Sequence, residues 1–314
     1  MEYVRLGRSD LKISRVGFGC EQLGGTDWGP VDEASAAAAV RRALDLGVTL
    51  FDTADVYGLG RSEEILGRVL GPDRHRVQIA TKFGIAWEAS PDGGRSRTYR
   101  DARPERIGPA LEGSLRRLGV DRVSLYQLHW PDPATPLADT LGALVRLREA
   151  GKIGEIGLSN VGREELELAL TLAPIASVQL PYSLLDRRVE GGMLDLCAGA
   201  GVSVIVYGGL AHGLLSGKYG PDSTFPADDR RSRLEAFQGE RLIQNLKIVE
   251  RVKEVAARRG HSASQVALGW LLCRPQVTCV LVGARSPAQV EDVVRGTDVE
   301  LSADEREWLE APPH

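Results

Sequence analysis

The chain has 314 residues, 43% hydrophobic and 26% charged, with 39 Lys+Arg against 43 Asp+Glu and a formal net charge of −4. This balance excludes a general nucleic-acid or polyanion binder but leaves room for a local basic pocket that takes one anionic cofactor. No apolar run approaches the roughly 20 residues that span a bilayer, and the start, MEYVRLGRSDLKIS, lacks a signal peptide's apolar stretch, so a cytoplasmic protein without membrane partners is expected. Cys20, Cys197, Cys273 and Cys279 are scattered, with no CxxC pair and no metal-ligand spacing; reduced, mostly buried thiols and no metal are expected.

In chain order, residues 3–14 read first as a hairpin, YVRL and LKIS around Gly7-Arg8-Ser9-Asp10, able to plug the lower end of a barrel. Short apolar or β-branched runs then recur at 15–19, 49–53, 77–82, 124–129, 154–159, 177–181, 202–208 and 278–283. Most are nearly continuous in apolar character, as parallel strands covered on both faces are. Helical stripes lie between them. Ala36, Ala39, Val40, Ala43 and Leu44 repeat before a stop at Gly47. Ile107, Leu111, Leu115 and Leu118 repeat between Pro104 and Gly119, and Leu166, Ala169 and Leu170 begin another stripe. Eight strand–helix units predict one α/β domain over 1–314, a (β/α)8 TIM barrel with the hairpin at its bottom. An open doubly wound sheet is disfavoured because GFGCEQ and GLGRSE both lack the third glycine of a dinucleotide fingerprint. Residues 209–240 follow strand seven without periodicity and read as a long loop.

In a barrel, polar side chains at the C-terminal ends of strands are the catalytic candidates. Strand two ends at Asp52, with Tyr57 five residues on; strand three ends at Lys82 and strand four at His129. These strands are consecutive, so the four side chains can converge. A lysine ammonium beside a tyrosine favours the phenolate and lowers its pKa, while Asp52 holds the lysine charged and in place. Such a tyrosine donates a proton to a carbonyl oxygen as negative charge develops there, and a histidine orients that oxygen. No side chain supplies a hydride, so reduction needs a bound hydride cofactor.

These residues, in FDTADVYGLGRSEEILG, ATK and QLHW, together with QLPYSLLDRR and GLLSGKY, resemble the aldo-keto reductase superfamily from LGRSDLKIS to GARSPAQVED. GGTDWG, YGLGRSEE and GARSPAQ are similar to the bacterial general-stress and inositol-operon reductases. The resemblance implies a catalytic tetrad of Asp52, Tyr57, Lys82 and His129, with Tyr57 as general acid for NADPH-dependent reduction of a small aldehyde or ketone. It implies that Ser159, Asn160 and Gln179 hold the nicotinamide carboxamide and that Tyr207 stacks on the ring. Gly208, Leu210, Gly213 and Lys218 then run along the pyrophosphate. Gly283, Ala284, Arg285 and Gln289 match the segment around the adenosine 2′-phosphate, where the planar guanidinium of Arg285 suits a phosphate and favours NADPH over NADH.

Two departures from the family pattern stand out. Tyr207-Gly208-Gly209-Leu210 replaces a Tyr-Ser-Pro-Leu clasp, and Val293 stands where many relatives place an adenine-contacting Asn, with Asp292 beside it. Trp28, Trp87 and Trp130 lie beyond strand ends and are candidates to wall a substrate pocket. The alternative function is a cofactor-sensing protein of the potassium-channel β-subunit kind, which would also keep the tetrad. A barrel hydrolase is disfavoured: GLSNV is not a nucleophile elbow, since Val161 takes the place of the last glycine. No feature of the chain specifies an oligomeric state.

Overall fold

The computed structural model describes residues 1–25, 32–88 and 96–312. Strand β1 (Tyr3–Arg5) pairs antiparallel with β2 (Lys12–Ser14), forming the hairpin. Leu6 and Ile13 point into an apolar cluster with Leu50, Ala80, Leu125 and Ile205. Gly7 takes φ +56°, and a Cβ there would run into the Ala176 carbonyl oxygen, so glycine is required for this turn to dock. Its amide donates to Ser203 Oγ at 2.7 Å. Ala176 and Ser203 lie at strand beginnings, so the hairpin closes the barrel's N-terminal end.

The alternation that follows is β3 (Val16–Gly19), α1 (Glu33–Asp45), β4 (Leu50–Asp52), α2 (Arg61–Leu70) and β5 (Gln78–Phe83). The hairpin β6 (Ile85–Glu88) and β7 (Arg97–Arg100) comes next, then α3 (Pro104–Leu118), β8 (Val123–Leu128), α4 (Leu137–Glu149), β9 (Ile153–Ser159), α5 (Arg163–Leu172) and β10 (Ile175–Pro181). The chain ends with α6 (Met193–Ala200), β11 (Ser203–Tyr207), α7 (Gly239–Arg259), α8 (Ala263–Leu272), β12 (Val277–Val282), α9 (Pro287–Val294) and α10 (Ala303–Glu310). Strands β3, β4, β5, β8, β9, β10, β11 and β12 are parallel neighbours, and β12 pairs back onto β3 to close the barrel.

Local chemistry explains the helices. The Asp32 carboxylate caps α1 by accepting from the Ala34 and Ser35 amides, and Ala36, Ala39, Val40 and Ala43 form its buried stripe. Helix α3 starts at Pro104, buries Ile107, Leu111 and Leu118, and stops at Gly119 with φ +68°. Fully burying each such side chain contributes about 2 kcal/mol. Helix α8 is buried nearly all round, Trp270 included, and so shows no amphipathic stripe.

Inside the barrel the pleat sorts side chains into layers. Leu50, Ala80 and Leu125 belong to the apolar interior cluster. Two residues further along the same strands come Asp52, Lys82 and Gln127, which meet in the next layer up. The mouth is therefore polar above a dry floor.

Two segments carry detail that the sequence expectation lacks. The loop after the third barrel strand carries the β6–β7 hairpin, which Gly84 (φ +96°) sets off from β5; β7 is exposed throughout and lacks a barrel strand's apolar run. Residues 209–240 contain short 3-10 turns at Ala211–Ser216, Arg230–Arg233 and Glu235–Phe237. They pack around edge contacts of Tyr219, Phe225 and Phe237 with centroids 5.1–5.7 Å apart. Arg231 stacks 4.9 Å from Phe225 and pairs with Asp229. Cys20, Cys197 and Cys279 are buried thiols, Cys273 is half-buried, and all four are free. Among the described residues no helix is long and apolar enough to cross a membrane.

Candidate active site

Glycine packing sets the catalytic loop. Gly58 has φ +60°, and a Cβ there would overlap Gly24, so the Tyr-Gly step lets the loop after β4 press against the turn after β3. The loop presents Tyr57 at the mouth. Strands β4, β5 and β8 deliver Asp52, Lys82 and His129, so the four expected residues converge. Lys82 Nζ donates to Asp52 Oδ1 at 2.5 Å, to the Thr53 carbonyl at 2.9 Å and to the Tyr57 hydroxyl at 3.4 Å. The Tyr57 and His129 rings meet edge-on, with centroids 5.7 Å apart. Among the described residues, His129 Nδ1 is buried without a hydrogen-bond partner.

The electrostatics correct one expectation. Burial, with the Glu21 and Asp52 carboxylates nearby, pushes the Tyr57 hydroxyl well above its ordinary pKa instead of below it. The Lys82 charge is shared with Asp52 and a carbonyl, and the cost of desolvating a phenolate prevails. Tyr57 thus holds its proton firmly. Burial and the Lys82 charge hold the His129 imidazole well below its usual range, so it is neutral.

The residues expected around the nicotinamide form one network. Asn160, in a left-handed conformation at φ +57°, donates through Nδ2 to the His129 carbonyl and to Ser159 Oγ, both at 3.0 Å. Its Oδ1 accepts from the Tyr207 hydroxyl at 2.7 Å. Gln179 donates to Asp52 Oδ2 at 2.8 Å, tying this network to the lysine pair. Gly208 (φ +71°) and Gly213 (φ +91°) shape the turn after β11, where Leu210 precedes the first 3-10 turn and Lys218 lies 4.9 Å over the Tyr219 ring. At the entry to α9, Gly283 and Arg285 are exposed. The Arg285 amide donates to Gln289 Oε1 at 2.8 Å, and Ser286 caps the helix. Ala284 is buried and offers its carbonyl to Gln22. A cation beside a helix start suits a phosphate. Val293 is buried in the core, and Asp292 accepts from Gln265 Nε2 at 2.8 Å. Among the described residues no group of His, Cys, Asp and Glu could hold a metal ion.

The three tryptophans separate. Trp28 lies outside the described residues. Trp87 sits half-buried on β6, opposite Thr98. Trp130 stacks on Arg100 at 5.1 Å and lines a hollow of about 390 Å³ that reaches Leu137 of α4 and Leu168 of α5.

Some site residues escaped the sequence reading. Gln127 donates to Asp52 Oδ2 at 3.0 Å; its signal was a polar side chain two positions before His129, on the same strand face. Glu21, after the first barrel strand, pairs with Arg230, after the seventh, at 2.8 Å. Their distance apart in the chain left no local signal.

A closed (β/α)8 barrel with this tetrad at its C-terminal mouth defines a carbonyl–alcohol oxidoreductase. The chain belongs to the Aldo/keto reductase family, whose model matches residues 15–311. It is 36% identical over 309 residues to Aldo-keto reductase YhdN of Bacillus subtilis, covering 98% of this chain and 92% of that protein. It is 33% identical to the NADH-specific methylglyoxal reductase of Escherichia coli, over 96% of this chain and 95% of that protein. The solved glycerol dehydrogenase AKR11B4 from Gluconobacter oxydans matches with a TM-score of 0.91 at 37% identity, covering 98% of this chain and 94% of the other.

Proposed function

We propose that this protein reduces an aldehyde or ketone to an alcohol with NADPH, and that Tyr57 is the general acid. The observation that carries the proposal is Lys82 Nζ bridging Asp52 Oδ1 and the Tyr57 hydroxyl beside His129. The bound nicotinamide supplies the hydride. This chain's residues manage the oxygen and its proton. A carbonyl oxygen between Tyr57 and the neutral His129 imidazole accepts hydrogen bonds from both. As charge grows on that oxygen, Tyr57 passes its proton across, and the ammonium of Lys82 stabilises the phenolate left behind. Asp52 holds Lys82 in line.

The choice of NADPH rests on Arg285 at the start of α9, since family membership does not decide it: the Escherichia coli relative is NADH-specific by name. The test is a panel of aldehydes, α-dicarbonyls and ketones, followed by loss of reduced-nicotinamide absorbance. Turnover of at least one of them is expected with the native chain. Tyr57→Phe should lose about 10²–10⁴-fold in kcat, the range for general acid catalysis, and bind NADPH unchanged. Native turnover by Tyr57→Phe would remove the acid assignment.

A further inference from the structure

Gln127 has no part in the proton transfer above, yet it is among the most enclosed polar side chains in the molecule, with no solvent exposure. Its Nε2 donates to Asp52 Oδ2 at 3.0 Å, and Gln179 Nε2 donates to the same oxygen at 2.8 Å. Gln179 Nε2 also reaches Gln127 Oε1 at 3.3 Å. Both faces of the Gln127 amide are therefore engaged. This orientation is the one that satisfies the carboxylate, since turning the amide over would set two acceptor oxygens against each other. The neighbouring strand makes room for it: a Cβ on Gly157 would lie 2.8 Å from Gln127 Cγ. A polar side chain here, above the apolar floor of Leu125 and Ala80, carries a desolvation cost that a leucine would not.

We infer that Gln127 is a positioning residue: its amide, with that of Gln179, pins the second oxygen of Asp52 so that the first stays on Lys82 and Lys82 stays on Tyr57. Asp52 then has three donors, one on Oδ1 and two on Oδ2, and cannot swing without breaking two of them. The clamp also joins the two halves of the site. Gln179, whose amide nitrogen is committed to Asp52, has only its oxygen left for a cofactor amide, so order at the nicotinamide end and order in the proton relay are set together. The inference rests on the relay proposed above.

Two variants test it. Gln127→Leu keeps the volume and removes the donor. Its kcat should fall about tenfold or more, the effect of one lost hydrogen bond to a charged group, and NADPH affinity should fall by less, since Gln179 keeps its bond to Asp52. Gln127→Glu keeps the shape but donates only while protonated. Its kcat relative to native should be highest at acid pH and fall as pH rises, because two ionised carboxylates then face each other. Native kcat and pH profile in both variants would overturn the inference. So would a loss of equal size at every pH in Gln127→Glu, which marks a packing role alone. If Gln127→Leu does not fold, the pH dependence of Gln127→Glu decides. Tyr57→Phe assayed in parallel separates the two proposals: an inactive Tyr57→Phe beside a native-like Gln127→Leu removes only the clamp, whereas an active Tyr57→Phe removes the relay itself.

Discussion

Lys82 Nζ lies 2.5 Å from Asp52 Oδ1 with both side chains shut away from solvent. The two come from adjacent strands, β4 and β5, and meet inside the barrel directly above the apolar layer. Burying two charges is costly, so the pair adds little to stability, and on the function proposed above it is retained for what it does at Tyr57.

Breaking the pair from one side should be severe. Lys82→Met leaves the Asp52 carboxylate buried without its cation and should cost about 3–5 kcal/mol of unfolding free energy, together with turnover. Denaturant unfolding reads the first and the carbonyl assay the second. Adding Asp52→Leu should recover much of the stability and none of the activity. Equal stability of the single and double variants would show that the charge left behind is not the cause.

Two histidines contribute to the pH response. Burial and the Lys82 charge hold His129 well below its ordinary pKa; burial, Arg230 and Arg231 bring His212 down to about 4. In the unfolded chain both bind a proton near pH 6.5, while the folded chain binds it only at lower pH. The unfolded state therefore takes up more protons in that window, and stability falls as pH drops from about 6.5 toward 4. Unfolding midpoints measured across this range should decline. A flat profile, with a further flat profile for His212→Gln, would contradict the neutral assignments.

Arg285 should discriminate between cofactors. On the NADPH reading proposed above, Arg285→Ala removes one guanidinium–phosphate contact, so NADPH binding should weaken about tenfold to hundredfold and NADH binding hardly at all. Fluorescence titration of both cofactors measures this. Equal losses for the two would mean that Arg285 does not read the 2′-phosphate.

Much of the fold was legible because parallel strands covered on both faces are continuous apolar runs. All eight barrel strands lie where such runs occur, and α3 runs between the two residues that punctuate it, Pro104 and Gly119. The β6–β7 hairpin was not legible, since β7 is exposed and its pairing with β6 is purely local. The turns within 209–240 were hidden for a different reason. They are held by Tyr219, Phe225, Phe237 and Arg231, contacts with no period along the chain.

By itself the sequence determined the barrel and the meeting of Asp52, Tyr57, Lys82 and His129, because strand order and strand ends are written locally. Tertiary structure decided the rest. It raised the Tyr57 pKa where a neighbouring lysine alone predicted the reverse, since burial is a property of the whole mouth. It joined Glu21 to Arg230 across 209 positions of chain and set Gln127 and Gln179 on one carboxylate oxygen. Such contacts depend on barrel closure, which brings together strands that no local spacing relates.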